Sequence, residues 1–488
     1  MKLSKQVVVP EYSTQRPEKI LQFGTGVLLR ALCDYYVHKG NQQGDFNGSI
    51  VVVKSTAGSV KNFAEQDNLY NVCIRGIDRG TFLEKNEVVS AISRVISAKD
   101  NWKGILATAE SEDMEIVISN TTEVGLSYQA EKINTEVSPD SFPAKLTTWL
   151  HVRYKANKKG MVIIPTELLV DNGKILKDAV LKTAEISDLE EGFVEWLNYE
   201  NSFCSSLVDR IVPGKPNADK KKEIEEKLGY QDDLMTMAET YSLWAIEGDS
   251  NVREVLGFVE SSSNVKVEKD IQKYRELKLR LLNGSHTLMC GLSYLAGFEY
   301  VKDVMNDELM EKYITILMLT ELAPAIPFDV DAKIAQRYGR EVMDRFRNPS
   351  LDHKWLSITL HYTMKMRMRC IPTLINYYEI FDTVPQYFAR GFAAYLLFMK
   401  AVKEVDGKFY GENNDEEYVI NCDSAEYFYE VWQSNDATNV VKVILSNEEL
   451  WGINLANLPE FSRNVETHLS NMQMIGVREV ASALNVYA

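Results

Sequence analysis

The stretch "LQFGTGVLLRA", Leu21 to Ala31, decides how the rest of the chain is read. With Lys19 and Ile20 before it, its apolar start reads as a buried strand. Behind it "VLLRALCDYYVH" carries helical spacing as far as Gly40, which reads as a helix stop. Between strand and helix, Gly24 and Gly26 keep the first two glycines of G-x-G-x-x-G, while Leu29 stands at the third. In this context backbone N–H groups and a helix N-terminus can hold a pyrophosphate. A tight turn without a ligand has the same pattern. On the first reading the cofactor-binding candidates here are Phe23, Gly24, Thr25, Gly26, Val27 and Arg30.

Further apolar runs follow: "SIVVVKS" (Ser49–Ser55), "MEIVISN" (Met114–Asn120) and "GMVIIPTELL" (Gly160–Leu169). Unbroken Val/Ile runs alternating with helical segments predict a parallel sheet covered on both faces. The third strand ends in "SNTTEVG", which sets Asn120, Thr121, Thr122 and Glu123 at the carboxyl edge, where ligands of such sheets sit. As simple caps of the next segment, the same residues need no ligand. At the end of the second strand, Lys54 and Ser55 stand where an acidic residue would grip an NAD ribose, so NAD and NADP both stay open. "ADKKKEIEEKLGY" reads as a solvated helix, "GENNDEEY" (Gly411–Tyr418) as an exposed loop, and from Asp270 nearly every pattern is helical. The prediction is an α/β chain: a Rossmann-like parallel-sheet domain over 1–270, followed by a mostly α-helical domain over 271–488.

A chain of 488 residues exceeds one ordinary core, which agrees with two domains. The net charge of -16 argues against a nucleic-acid partner, since phosphate binding needs a concentrated basic face. It does not oppose a small anionic substrate. Six cysteines and six histidines lie dispersed, without C-x-x-C or zinc-like spacing, which predicts no metal and reduced thiols in a cytoplasmic setting. The first apolar run is too short for a signal peptide, and no run suits a membrane span. These patterns leave the oligomeric state open.

The helical part opens with "KLRLLNGSHT", Lys278 to Thr287. On an ideal helix His286 lies roughly 80° around from Lys278, and Asn283 roughly 140°. An Asn-Gly pair inside a helix costs about 1 kcal/mol for the glycine alone, and a broken local rule marks a possible site. The plain alternative is a surface lysine beside a satisfied core histidine.

Taken together, strand–G-x-G–helix, S-N-T-T-E and K-x-x-x-x-N-x-x-H resemble the polyol-specific long-chain dehydrogenases, a family that includes mannitol 2-dehydrogenase and the hexuronate reductases. The likeness runs from Ile20 to beyond Pro372. "FGTGVLLRA" is similar to the family's F-G-x-G-x-F-x-R-A, where a third glycine is absent; Leu28 replaces the aromatic. "VDRIVP" (Val208–Pro213) resembles another family block. "IIPTELLVDNG" is similar to the E-L-I-x-x-N-G stretch of one hexuronate-reducing branch, whereas mannitol dehydrogenases and fructuronate reductases usually carry C-D-N-x-x-x-N-G.

The resemblance implies metal-independent hydride transfer between a nicotinamide cofactor, NAD with NADP not excluded, and a secondary alcohol of a small sugar acid. It implies Lys278 as acid/base, Asn172 and Asn283 as amide donors to the oxyanion, and His286 orienting the substrate or Lys278. Lys54, Ser55, Asn120, Thr121 and Thr122 join the cofactor-binding set. A sugar-acid carboxylate needs a cation, and the substrate-binding candidates are Asp209, Arg210, Lys365, Arg367 and Arg369. The last three lie in "MKMRMRCIP", whose alternation equally suits one buried and one solvated face.

Overall fold

The computed structural model describes residues 1–8, 15–56, 58–122 and 124–483, so Glu123 lies outside the described residues. The chain divides into two compact units, Met1–Arg75 with Phe82–Ile271, and Gly76–Thr81 with Gln272–Ala488. Strands of the first unit follow in order: β1 (Glu18–Phe23), β2 (Ser49–Lys54), β3 (Tyr70–Asp78), β4 (Thr81–Val89), β5 (Ile92–Ser97), β6 (Ile116–Ser119), β7 (Val162–Pro165) and β8 (Ser202–Phe203). The residues between β3 and β4 group with the second unit.

Six of these strands form one sheet in the order β5-β2-β1-β6-β7-β8, every neighbouring pair parallel. Numbered along the chain within the sheet, this is the order 3-2-1-4-5-6 of doubly wound dinucleotide-binding folds. The reason lies in the apolar runs. Ile20, Ile50, Val52, Ile116, Ile118 and Ile164 pack into one buried cluster, while Leu21, Phe23, Val51, Val53, Val117 and Ile163 pack into another. Successive side chains therefore face opposite cores, which only a sheet covered on both sides can satisfy. The expected Rossmann-like α/β unit is present. Strands β3, β4 and β5, and several short ones after Ser206, had no clear signal in the sequence.

One detail of the opening helix differs from expectation. Two helices, Val27–Ala31 and Cys33–Gln43, replace the single one, and the stop is Gly44 in the left-handed region at φ 84°. Gly40 sits inside the second helix because a Cβ there would come within 2.6 Å of Phe258 Cβ and 2.7 Å of its Cα. Contact with another segment, not a turn, requires that glycine.

The second unit is mostly helical, with the helices Ser285–Leu295 and Gln386–Phe398 buried along most of their length. "GENNDEEY" is exposed but not a loop: it forms the turn and flanks of a hairpin between Lys408–Asn413 and Glu416–Val419. Asn414 and Asp415 have φ of 52° and 65°, the pair of positive values that a tight hairpin turn requires. Among the described residues three segments are π-helical: Lys278–Gly284, Leu317–Leu322 and Met366–Cys370. Pro324 and Pro372 follow the second and third closely, and each removes an N–H that an α-helix would have used. No helix among the described residues is long and apolar enough to cross a membrane.

Gly40→Ala should cost about 1–3 kcal/mol by forcing the helix away from Phe258. Urea unfolding checks this, and an unchanged midpoint would contradict the contact.

Candidate functional site

The strand order reverses between β1 and β6, so the crevice outside their carboxyl ends is where a ligand of this sheet binds. The glycine turn leaves β1 there. Gly24 N–H donates to Val53 O at 3.1 Å, and Asn120 N–H to Phe23 O at 3.1 Å, which carries the ladder past the strand ends. Gly24 has φ 128°, and a Cβ on it would lie 3.0 Å from both Asn120 O and Leu29 Cδ1. Leu29 is buried and fills the space under the turn, which accounts for the absent third glycine. Gly26 is exposed, caps Val27–Ala31, and would have nothing within 4 Å of a Cβ. The turn thus leaves backbone open to a phosphate, with half-buried Thr25 and Val27 at its rim.

Two residues of this cofactor set have structural work instead. The Phe23 side chain packs in the core with its ring 5.0 Å from that of Phe142. Arg30 points inward, away from any phosphate: it donates to Leu234 O and lies over the Tyr70 ring at 5.3 Å. Its charge is drawn there by Asp34, whose carboxyl burial pushes up to about 7, against the pull of the Tyr70 hydroxyl and Arg30. At the end of β2, Lys54 Nζ donates to Thr56 Oγ1 at 3.3 Å, and Ser55 is exposed.

The rim after β6 is held by the segment after β7. Asn120 Nδ2 donates to Thr166 O and Oγ1 at 3.2 and 3.0 Å. Thr121 N–H and Oγ1–H both donate to Glu167 Oε1, at 2.7 and 3.0 Å, and Ser119 Oγ donates to Glu167 Oε2 at 3.2 Å. Thr122 Oγ1 accepts from Gly125 N–H. Burial raises the Glu167 carboxyl above its ordinary range, opposed by its bonds from Thr121 and Ser119. This glutamate lies inside "IIPTELLVDNG", where nothing in the spacing assigns it a role.

Asn172 is engaged with backbone on every side. It is fully buried, and its Nδ2 donates to Pro165 O, Glu167 O and Ser206 O while Oδ1 accepts from Ser206 N–H. With its amide on backbone, it braces the loop after β7. Arg210 is likewise an internal brace. Its guanidinium donates to Glu239 O and Ala31 O and stacks over Tyr35, so no face is left for a carboxylate. Asp209, beside it at the end of the strand Ser206–Asp209, is buried.

In the second unit, Lys278 opens the π-helical turn and half-buried Asn283 lies near its end. An i→i+5 turn places a residue over the one five before it, so Lys278 and Asn283 share a face more closely than the α-helical 140° allowed. Among the described residues no hydrogen bond engages the Asn283 carboxamide; only its backbone carbonyl accepts, from Thr287. His286 is buried against Phe346, ring centroids 4.3 Å apart, with the His353 ring edge-on at 5.3 Å. Burial first, then His353, Arg345 and Arg369, holds its pKa well below the usual imidazole value, so the ring is neutral near pH 7. Its Nε2 is buried without a hydrogen-bond partner among the described residues.

The basic stretch resolves in the same region. Arg280 donates to Glu276 Oε2 at 2.8 Å, and to Met368 O and Arg369 O at 2.6 and 3.1 Å, tying the π turn of Lys278 to that of Arg369. The Met368 carbonyl is the one that Pro372 cannot serve. Arg369 Nη1 donates to Thr287 Oγ1 at 3.3 Å, and Lys365 Nζ to Ile358 O at 2.9 Å. Both are half-buried, and burial lowers both pKa values, with Arg369 adding to the effect on Lys365. Among the described residues neither forms an ion pair with an acid. Arg367 points elsewhere, exposed, with Nη1 on Glu449 O. The alternation of Met and basic residues does not sort into faces: Met366 is buried while Met364 and Met368 are exposed, as helical rather than period-two spacing dictates. Arg345 and His353 come from separate segments and had no spacing signal.

Two family models match the chain. The Mannitol dehydrogenase Rossmann domain matches residues 18–256, and the Mannitol dehydrogenase C-terminal domain matches 270–473. An altronate oxidoreductase of Halalkalibacterium halodurans is 37% identical over 97% of this chain and 94% of its own length. One of Bacillus subtilis is 36% identical over 98% and 97%. Among solved structures, mannitol 2-dehydrogenase of Pseudomonas fluorescens, in complex with NAD and D-mannitol, shares the fold with a TM-score of 0.65 at 22% identity over 99% of each chain. A D-sorbitol dehydrogenase does so at 0.73 and 19%, over 99% of this chain and 100% of its own.

Asn172→Ala should act on stability, since it removes hydrogen bonds to three carbonyls and one N–H in the interior, although Pro165 O keeps the Ser206 hydroxyl and Glu167 O keeps the Leu169 N–H. A loss of about 2–4 kcal/mol in denaturant unfolding is expected. A fully stable variant with reduced kcat would return Asn172 to the chemistry.

Proposed function

The chain belongs to the mannitol dehydrogenase family, and on that premise we propose that it reduces D-tagaturonate to D-altronate, reversibly, with NADH. It is a nicotinamide-dependent oxidoreductase acting on a secondary alcohol. The open backbone at Gly24 and Gly26 suits the cofactor pyrophosphate, with Thr25, Asn120 and Thr121 at the rim. When bound, the nicotinamide supplies the two-electron redox step.

The chain's own part is the proton and the charge. In reduction, the Lys278 ammonium gives its proton to the substrate oxygen as the carbonyl carbon is reduced. In oxidation, the amine takes the proton back from the hydroxyl. The Asn283 carboxamide donates to the oxygen as charge develops, a contribution on the order of 3 kcal/mol for one well-placed donor. His286 is neutral and keeps Nε2 for a hydrogen bond to the substrate or to Lys278.

One observation carries the choice of a sugar acid over a neutral polyol. Lys365 and Arg369 are half-buried cations beside the His286 helix, with no acid paired to either among the described residues. Buried charge without a counter-charge is costly, and a substrate carboxylate would relieve it. The two altronate oxidoreductases, alike along nearly the full chain, support the altronate reading over fructuronate. Lys54 at the end of β2, with no acid there, leaves room for NADP; NADH is preferred by analogy with the NAD complex of the mannitol enzyme.

Rates with tagaturonate, fructuronate, fructose, altronate and mannitol, each measured with both cofactors by absorbance, test the assignment. Preference for fructose and mannitol would overturn it. Lys278→Ala should lose at least about 1000-fold in kcat while keeping cofactor affinity; near-normal kcat would remove the lysine from its role. Arg369→Ala should lower kcat/KM for altronate by about 100-fold and leave mannitol unchanged. Equal losses on both would reject carboxylate binding.

A further inference from the structure

Glu167 is 3% exposed, sits at the carboxyl edge of the sheet, and forms no ion pair with Lys, Arg or His among the described residues. Its three donors are neutral: the Thr121 N–H, the Thr121 hydroxyl and the Ser119 hydroxyl. A protein that needed only a loop brace here could use an amide or a hydroxyl, as it does with Asn172 and Thr166 in the same segment. A carboxylate costs more to bury, and three hydrogen bonds offset that cost without cancelling the charge. Ionised, it sets a negative charge in a low-dielectric place beside the rim where the strand order reverses.

We propose that Glu167 is a positioning residue of the cofactor site whose charge favours the oxidised cofactor. It fixes the Asn120–Thr121 peptide at the rim, and its field stabilises the positively charged nicotinamide ring over the neutral reduced one. The inference rests on the nicotinamide reading of the glycine turn. It goes beyond that reading by giving the loop after β7 a share in the balance between reduction and oxidation. A protein that bound both forms of the cofactor by shape alone would show no such split.

The test is binding, without turnover. Dissociation constants for NAD+ and NADH are measured by calorimetry and by NADH fluorescence in the wild type, Glu167→Gln, Glu167→Asp and Thr121→Val, with the phosphorylated pair used instead if the wild type prefers it. Glu167→Gln keeps the shape and removes the charge. It should weaken NAD+ by about tenfold and NADH by less than about threefold. Glu167→Asp keeps the charge, so both forms may weaken but their ratio stays at the wild-type value. Thr121→Val should weaken both forms alike. Equal losses in Glu167→Gln, or no loss, overturn the proposal. If the amide variant does not fold, Glu167→Ser, which also removes the charge, decides instead: a loss confined to NAD+ supports the proposal and equal losses overturn it. A wild type that binds neither form would instead remove the cofactor reading beneath it.

Discussion

Everything in the first unit follows from one constraint: a parallel sheet buried on both faces, whose strand order reverses between β1 and β6. The order reverses there, and it is outside the carboxyl ends of strands at such a switch point that ligands of open parallel sheets bind. Because both faces are packed, that edge is the place where backbone can meet a ligand without giving up core. The requirement at Gly24 is local: the Asn120 carbonyl and Leu29 leave no room for a side chain, and the positive φ disfavours one. The crevice also explains why the residues after β7 matter. Thr166, Glu167 and Asn172 spend their hydrogen bonds on the loops around it.

The second unit handles charge in the opposite way. Around His286 it gathers cations, and burial holds the imidazole neutral while Lys365 and Arg369 stay unmatched by acid among the described residues. A cluster of this kind is unfavourable alone and becomes favourable with an anionic guest. The π turns place these groups. With more residues per turn, the first sets Lys278 and Asn283 closer around the helix than an α-helix would, and the proline after the Arg369 turn frees a carbonyl that Arg280 takes up.

What the sequence shows, and what it hides, divides along physical lines. The α/β unit was legible because unbroken Val/Ile runs have few other homes, and the tight turn after β1 because two glycines between strand and helix are a local signal. The contacts of Arg30, Arg210 and Asn172 were not legible, for a shared reason. Whether a polar side chain faces a ligand or the interior depends on partners far away in sequence: Leu234, Glu239 and Ser206 respectively. Gly40 looked like a stop because its real neighbour, Phe258, is more than two hundred residues distant. The angles from Lys278 to Asn283 and His286 assumed an α-helix, and no residue type announces a π turn. Lys365 and Arg369 could not be separated from Arg367 until helical spacing replaced the apparent alternation.

The hairpin between β3 and β4 carries a consequence for anyone who would take the protein apart. Its turn, Gly76–Thr81, counts with the second unit, where Gly80 N–H donates to Asp344 Oδ2 at 3.3 Å. The polypeptide therefore crosses from one unit to the other at three places: after Arg75, after Thr81 and after Ile271. A fragment begun at Gln272 would lack part of its own fold, and a single protease nick at that junction would leave the two units still joined by covalent chain. Exchanging the second unit between relatives would have to carry two separate segments of sequence, because the unit is discontinuous along the chain.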